Sequence, residues 1–281
     1  RLFDGAMAEP TVYLNGQKAV YWAYGYNAFR VDITPYMKAG KNLLEVHLKN
    51  LEESSRWYPG AGIYRPVKLV LTGKDYIDAW KTFIRTTDIS NGKALVDVTV
   101  GCGSPIDARQ AFEVELRDAK GKLVGHEHCS LINHDGCSDL KFVVDNPNLW
   151  TPETPYLYTA HIKYMQNGKL LDETCQKFGI RTVKCSKEGG FQLNGVTRKL
   201  KGVCLHHDLG PLGAAINKSA LIRQIKTLKD MGCDAIRTSH NMPSQMQMDL
   251  CDSLGMMVMA ESFDMWVYPK CKNGYARFFI S

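Results

Sequence analysis

The sequence predicts a multidomain, mostly β chain: two antiparallel β-sandwiches followed by the opening units of a parallel α/β barrel. Three observations predict it. Apolar and polar residues alternate in short runs as far as about residue 184, turn dipeptides separate those runs, and from about residue 185 the rhythm changes to strand, helix, strand, helix, strand. At 281 residues the chain is also longer than one ordinary domain needs.

Residues 1–73 form the first stretch. Thr11-Val12-Tyr13-Leu14 runs into Asn15-Gly16, a type I′ hairpin signal. Phe29–Ile33 and Leu44–Leu48 have period two, and Lys68–Leu71 closes the set before Gly73. The pattern enters in its middle at Arg1, with neither an initiator Met nor a signal-peptide pattern, so the stretch reads as the later part of a jelly-roll-like sandwich behind a cut end. Residues 74–184 are again strands, clearest at Ala94–Val100, Phe112–Leu116, Leu140–Val144 and Thr159–Tyr164, with turns at Ala119–Lys122 and Gln166–Lys169. That spacing suits an immunoglobulin-like sandwich. The Pro-rich Asn146–Pro155 must be extended.

Residues 185–281 carry the βα rhythm. Lys199–Val203 reads as a strand. Asn217 or Ser219 caps a helix with Leu221, Ile225 and Leu228 on one face, ending at Gly232. Ala235–Thr238 is a second strand, Ser244–Leu254 a second helix with Met246, Leu250 and Leu254 on one side, and Met257–Ala260 a third strand. Strands joined by helices at this pitch pair in parallel.

Composition narrows the function classes. The chain is 44% hydrophobic and 23% charged, a folded and not a disordered composition. Apolar runs all stop short of the roughly 18 residues a membrane helix needs, so no membrane partner is expected. The net charge of +6 is spread along the chain, densest at Arg198-Lys199-Leu200-Lys201, and lacks the basic stripe with interleaved aromatics of a nucleic-acid binder. The nine Cys include no C-x-x-C pair; Cys204, Cys233 and Cys251 read as buried thiols, while Cys129 and Cys137 can bridge a hairpin. The compartment stays open.

In a parallel barrel the chemistry gathers where the strands end. After the first strand come His206, His207 and Asp208; after the second, Ser239, His240 and Asn241; after the third, Glu261, Ser262, Phe263 and Asp264, then Trp266. Each has a structural alternative: loop histidines for His206 and His207, neighbour bonding for His240, an ion pair with Arg237 for Glu261. Convergence on one rim favours function. His206, His240 and Glu261 also make a formal His₂-Glu metal set, although the adjacent His206-His207-Asp208 is poorly disposed to share one ion, and no cofactor is expected. Trp57, Trp150 and Trp266 are candidate sugar platforms, with core packing expected for Trp150.

These residues resemble family 2 glycoside hydrolases of the β-galactosidase kind. Leu193-Asn194-Gly195-Val196 and Lys201–Asp208 resemble the family's barrel entry, Met231–Asn241 its second-strand motif, and Asp249–Glu261 the segment after it. Upstream, Trp57-Tyr58-Pro59-Gly60-Ala61-Gly62-Ile63-Tyr64-Arg65 resembles the end of the sugar-binding sandwich, and Leu149–Tyr158 and Phe178–Arg181 the close and exit of the middle domain. The resemblance implies that residues 185–281 are the N-terminal part of a (β/α)₈ TIM-barrel catalytic domain and that the substrate is a carbohydrate, a β-glycoside, and leaves a homo-oligomer open for the full-length enzyme. It implies a retaining β-glycosidase, with two Glu about 5 Å apart as acid/base and nucleophile. The family's acid/base follows an Asn at the fourth strand and its nucleophile ends the seventh. This chain ends soon after its third strand and has no Asn-Glu dipeptide, so both catalytic carboxylates are expected beyond Ser281. By resemblance His206, His207, His240 and Glu261 are substrate-side residues. Glu52–Trp57 lacks the Asp with which well-known β-galactosidases grip the sugar, which opens β-glucuronides, β-mannosides or decorated glycans. The remaining alternatives are a non-catalytic carbohydrate-binding module made of the sandwiches and a metal-dependent hydrolase.

Overall fold

A computed structural model of the chain describes residues 2–57, 59–103, 109–130 and 136–278; Arg1, Tyr58 and Ser281, named above, lie outside the described residues. The chain divides into two compact units, one made of residues up to 70 together with those from 200 on, the other of residues 71–199.

The first unit opens with six short strands: β1 (Leu2–Phe3), β2 (Thr11–Leu14), β3 (Gln17–Tyr21), β4 (Phe29–Arg30), β5 (Leu44–His47) and β6 (Val67–Lys68). They form two antiparallel sheets, β4-β1-β6 and β3-β2-β5. Asn15 and Gly16 take φ of 54° and 80°, the left-handed pair that a type I′ turn requires. The strands are shorter than their alternation predicts: Val31 and Ile33 have left the sheet yet stay buried with Phe3, Val12, Leu14 and Phe29. Phe3 and Phe29 stack with ring centroids 4.7 Å apart.

The second unit carries β7 (Phe83–Ser90), β8 (Lys93–Gly101), β9 (Gln110–Arg117), β10 (Leu123–Cys129), β11 (Cys137–Asp145), β12 (Tyr158–Gln166) and β13 (Lys169–Phe178) in two antiparallel sheets, β10-β9-β12-β13 and β11-β8-β7. Ala94, Val96, Val98 and Val100 point inward at every second position of β8 and meet Phe112, Val114 and Leu116 of β9. The result is an immunoglobulin-like sandwich. Its pairing corrects the Cys129–Cys137 hairpin: β10 pairs with β9 and β11 with β8, so the two cysteines belong to different sheets. Trp150 has no exposed surface; its main-chain N–H donates to the Ile180 carbonyl at 2.9 Å and the Arg181 guanidinium lies 4.5 Å over its ring. Three short strands complete this unit in one antiparallel sheet: β14 (Val183–Ser186), β15 (Gly190–Leu193) and β16 (Val196–Thr197).

Returning to the first unit, β17 (Gly202–Leu205), β18 (Ala235–Thr238) and β19 (Met257–Ala260) pair in parallel, with α1 (Lys218–Asp230) and α2 (Gln245–Leu254) as the crossovers. Here β17 begins later than Lys199; a Cβ on Gly202 would stand 2.2 Å from the Ala235 carbonyl oxygen, so only glycine allows β18 to approach. Asn217 is the α1 cap, accepting from the Ala220 N–H, and Ser244 caps α2, which ends at left-handed Gly255. Leu221, Ile225 and Leu228 pack on Ile236 and Leu250; from α2 it is Cys251 that is fully buried, while Met246 and Leu254 are partly covered.

Gly179 offers a test of packing in the second unit. A Cβ there would stand 2.7 Å from the Trp150 Cβ and 2.9 Å from Cγ, both in a fully buried side chain. Gly179→Ala is expected to lower stability by about 1–3 kcal/mol, read as a lower urea midpoint with an unchanged slope.

Candidate functional site

The register of the parallel strands sets the level of the site. Leu205 pairs with Thr238, and Thr238 with Ala260, so the three strands end side by side and His206, Ser239 and Glu261 follow from one rim. Two bonds lock that level: Ser239 N–H donates to the Leu205 carbonyl at 2.9 Å, and Glu261 N–H to Thr238 Oγ1 at 3.2 Å.

The rim side chains touch. The His206 and His240 rings lie 5.2 Å apart and nearly perpendicular, and Trp57 approaches them at 5.4 and 5.6 Å. Glu261 Oε2 is 2.7 Å from His240 Nδ1. Its other oxygen, Oε1, accepts from Arg237 Nε at 3.0 Å and also from Arg237 Nη2. Glu261 thus makes the ion pair with Arg237 that was its structural alternative, and the same carboxylate contacts His240. Burial pushes the Glu261 carboxyl up, but bonds from Arg237 and His240 outweigh it and hold the group below the usual carboxylate range.

His207 lies apart from this group. Its backbone is left-handed at φ 56°, and its ring packs on Tyr26 at 5.0 Å. Nε2 is buried with no hydrogen-bond partner among the described residues. Burial, then the nearby Arg65 charge, brings its imidazole down to about 4, against a bond with the Asn241 main chain that acts the other way. At neutral pH it is an uncharged ring wedged under the rim.

Beneath the rim, residues from the sandwich hold the barrel loops. Arg65 is 4% exposed; its Nη1 donates to the Tyr26 carbonyl at 2.6 Å and the Asp4 carbonyl at 3.3 Å, and its Nη2 to the Met242 carbonyl at 2.8 Å. Tyr24 donates its hydroxyl to the Ser262 carbonyl at 2.6 Å, touches the Asn241 side-chain amide, and packs on Phe263 and Tyr275 at 4.9 and 4.8 Å. Arg56 Nη2 reaches Asp264 Oδ1 at 2.7 Å, and Lys270 Nζ donates to the Asp264 carbonyl at 2.5 Å. Asn273 Nδ2 donates to the Glu52 carbonyl at 2.7 Å, so the 52–57 loop and the 262–273 segment are bound to each other. Trp266, 58% exposed, edges against Phe263 at 5.1 Å.

Sequence reasoning missed Arg65, Tyr24 and the Arg56–Asp264–Lys270 group. Their partners in the barrel loops lie 177 to 238 residues away along the chain for the first two, and 208 for Arg56, so no local spacing announces these contacts. The one available signal was Arg65 at the close of the Gly60–Arg65 motif. The His₂-Glu metal set meets a geometric obstacle, because Glu261 Oε2 bonds directly to His240 Nδ1 instead of facing a shared ion. Among the described residues no group of three His, Cys, Asp or Glu side chains is placed to hold a metal.

Two sequence profiles match the chain, one described as glycosyl hydrolases family 2 over residues 76–181 and one as glycosyl hydrolases family 2, TIM barrel domain, over residues 183–267. The chain belongs to glycosyl hydrolase family 2. Among its family relatives, beta-galactosidase BoGH2A of Bacteroides ovatus is 40% identical over 99% of this chain and 33% of that protein. A beta-glucuronidase of Bacteroides fragilis is 29% identical over 92% of this chain and 40% of that protein. A family 2 glycosyl hydrolase structure from Bacteroides cellulosilyticus superposes with a TM-score of 0.91 at 35% identity, covering 99% of this chain and 37% of its own. A beta-glycosidase structure from Bacteroides vulgatus gives 0.91 at 33% identity, covering 99% and 36%. The chain thus spans about a third of the length of these relatives.

The His207 environment predicts a pH dependence of stability. Between its ordinary value of 6.5 and about 4 the unfolded chain takes the proton and the folded chain does not. Stability from this group therefore falls as pH drops through that window, by about 1.4 kcal/mol per unit and at most about 3 kcal/mol. His207→Asn, a residue that tolerates the left-handed backbone, should flatten that part of a plot of urea midpoint against pH.

Proposed function

We propose that this chain supplies the sugar-recognition rim of a retaining β-glycosidase that hydrolyses terminal β-glycosidic bonds. One observation carries the reading: His206, His240 and Glu261 follow three neighbouring parallel strands at one level, and His240 touches both His206 and Glu261 beside Trp57. The rim offers two imidazoles to hydrogen-bond sugar hydroxyls and an indole for the apolar face of a pyranose. Hydrogen-bonding groups held in place before substrate arrives cost no reorganisation when charge develops in the transition state. His207 belongs to the substrate side through the loop it wedges in place. The acid/base and nucleophile Glu are assigned to later barrel strands, outside these 281 residues.

The sugar is narrowed by the 52–57 loop. It carries no Asp to grip a galactose hydroxyl, and its Arg56 is paired with Asp264. A β-galactoside and a β-glucuronide are the two substrates named for relatives of this chain.

The test is a chimera in which residues 1–281 replace the matching third of the Bacteroides ovatus enzyme. It is expected to hydrolyse a nitrophenyl β-galactoside or β-glucuronide, the preferred one identifying the sugar. His240→Ala in the chimera should lower kcat/KM by about 10²–10³-fold. The 281-residue polypeptide alone should give no hydrolysis; turnover by it would overturn this assignment of roles.

A further inference from the structure

We propose that Glu261 acts through His240: it holds the imidazole proton on Nδ1, so that His240 presents an unprotonated Nε2 that accepts a hydrogen bond from a substrate hydroxyl. This deepens the glycosidase reading and rests on it for the identity of the ligand, but the state of the ring stands on the geometry alone.

Two contacts compete for Nδ1. Glu261 Oε2 lies 2.7 Å away and, as a carboxylate, only accepts; Arg237 Nη2 lies 3.2 Å away and only donates. One ring nitrogen cannot serve both. With a proton on Nδ1 the ring donates to the carboxylate in a short, charge-assisted bond. Without it, Nδ1 and Oε2 would be two acceptors facing each other at 2.7 Å, a contact that only repels. The Nδ1–H form is therefore the one this arrangement supports.

The Glu261 charge is shared with Arg237, because Oε1 takes both Arg237 Nε and Nη2. His206 and Trp57 stand in ring contact with His240 and bring no anion to it. A ring whose one proton sits on Nδ1 leaves Nε2 as an acceptor.

That assignment has a consequence for recognition. A buried or half-buried acceptor selects ligands that bring a donor, since an analogue without the hydroxyl leaves it unpaired. His240 and Glu261 side chains are 23% and 27% exposed, partly withdrawn from competing water. Glu261 is a positioning residue in this account, with both oxygens spent on Arg237 and His240.

The state of the ring is read directly by long-range ¹H–¹⁵N correlation on the histidine-labelled 281-residue chain at pH 8, with the His240 signals assigned by their loss in His240→Gln. Wild type should show Nδ1 protonated and Nε2 unprotonated. In Glu261→Gln the ring should shift toward the Nε2–H form, because an amide no longer demands the Nδ1 proton. A wild-type ring protonated on Nε2, singly or together with Nδ1, overturns the proposal, as does a pattern unchanged in Glu261→Gln. Circular dichroism and the other histidine signals show whether the variant folds; if it does not, Arg237→Lys, which keeps a cation beside Glu261 without the fork, should leave the Nδ1–H form in place. In the chimera, Glu261→Gln should lower kcat/KM by about tenfold or more and leave weaker discrimination against a deoxy-glycoside. An inactive wild-type chimera would sink the glycosidase reading while the nitrogen spectrum still decides the tautomer.

Discussion

The arrangement depends first on the buried guanidinium of Arg65. It is a permanent cation almost without solvent, and its contacts are carbonyl oxygens: Tyr26 and Asp4 on the sandwich side, Met242 on the loop that follows β18. A buried charge is costly unless its donors are satisfied. If the sandwich and the barrel loop separated, Nη2 would lose its acceptor, the Met242 carbonyl. The Arg65 head also lies 5.0 Å over the Tyr64 ring, and Tyr24, Tyr26, Tyr64 and Met7 form an apolar cluster around it, with Phe263, Met242 and Tyr275 packed against them. Burial raises the hydroxyls of Tyr24, Tyr26, Tyr64 and Tyr275, so they stay protonated and uncharged.

That anchor lets a sandwich residue take part in a barrel rim. Trp57 belongs to the loop just before Arg65, and it meets the rings of His206 and His240. The Arg56–Asp264–Lys270 group and the Asn273–Glu52 bond hold the same loop from the other side. Asp264 is buried here, while its two cations are half-exposed. The value of these contacts is geometric, since each joins segments that share no local sequence.

At the rim Arg237, Glu261 and His240 hold one another. Arg237 and Glu261 come from neighbouring strands, β18 and the end of β19, and they face each other because register brings Thr238 level with Ala260. His240 then completes the set from the loop. The contrast with His207 is instructive: two adjacent histidines have opposite surroundings, one exposed among the rim rings and one uncharged and partly buried against Tyr26.

Much of this was legible in the sequence because it rests on local periodicity. Alternation located the strands of both sandwiches, Asn15-Gly16 and Asn167-Gly168 marked turns, and Asn217, Ser244 and Gly255 bounded the helices. The motifs around Lys201–Asp208 and Met231–Asn241 pointed to the rim residues, since parallel strands release their following residues at one end. What the sequence left open involves pairs far apart in the chain. Whether His206 and His207 act together, whether Glu261 pairs with Arg237 or with His240, and which sandwich residue reaches the barrel are questions of side-chain direction and packing. Local pattern determined which elements form and where they stop; tertiary packing decided which of their side chains meet, because those contacts join residues brought together only when the sandwich and the βα units fold onto each other.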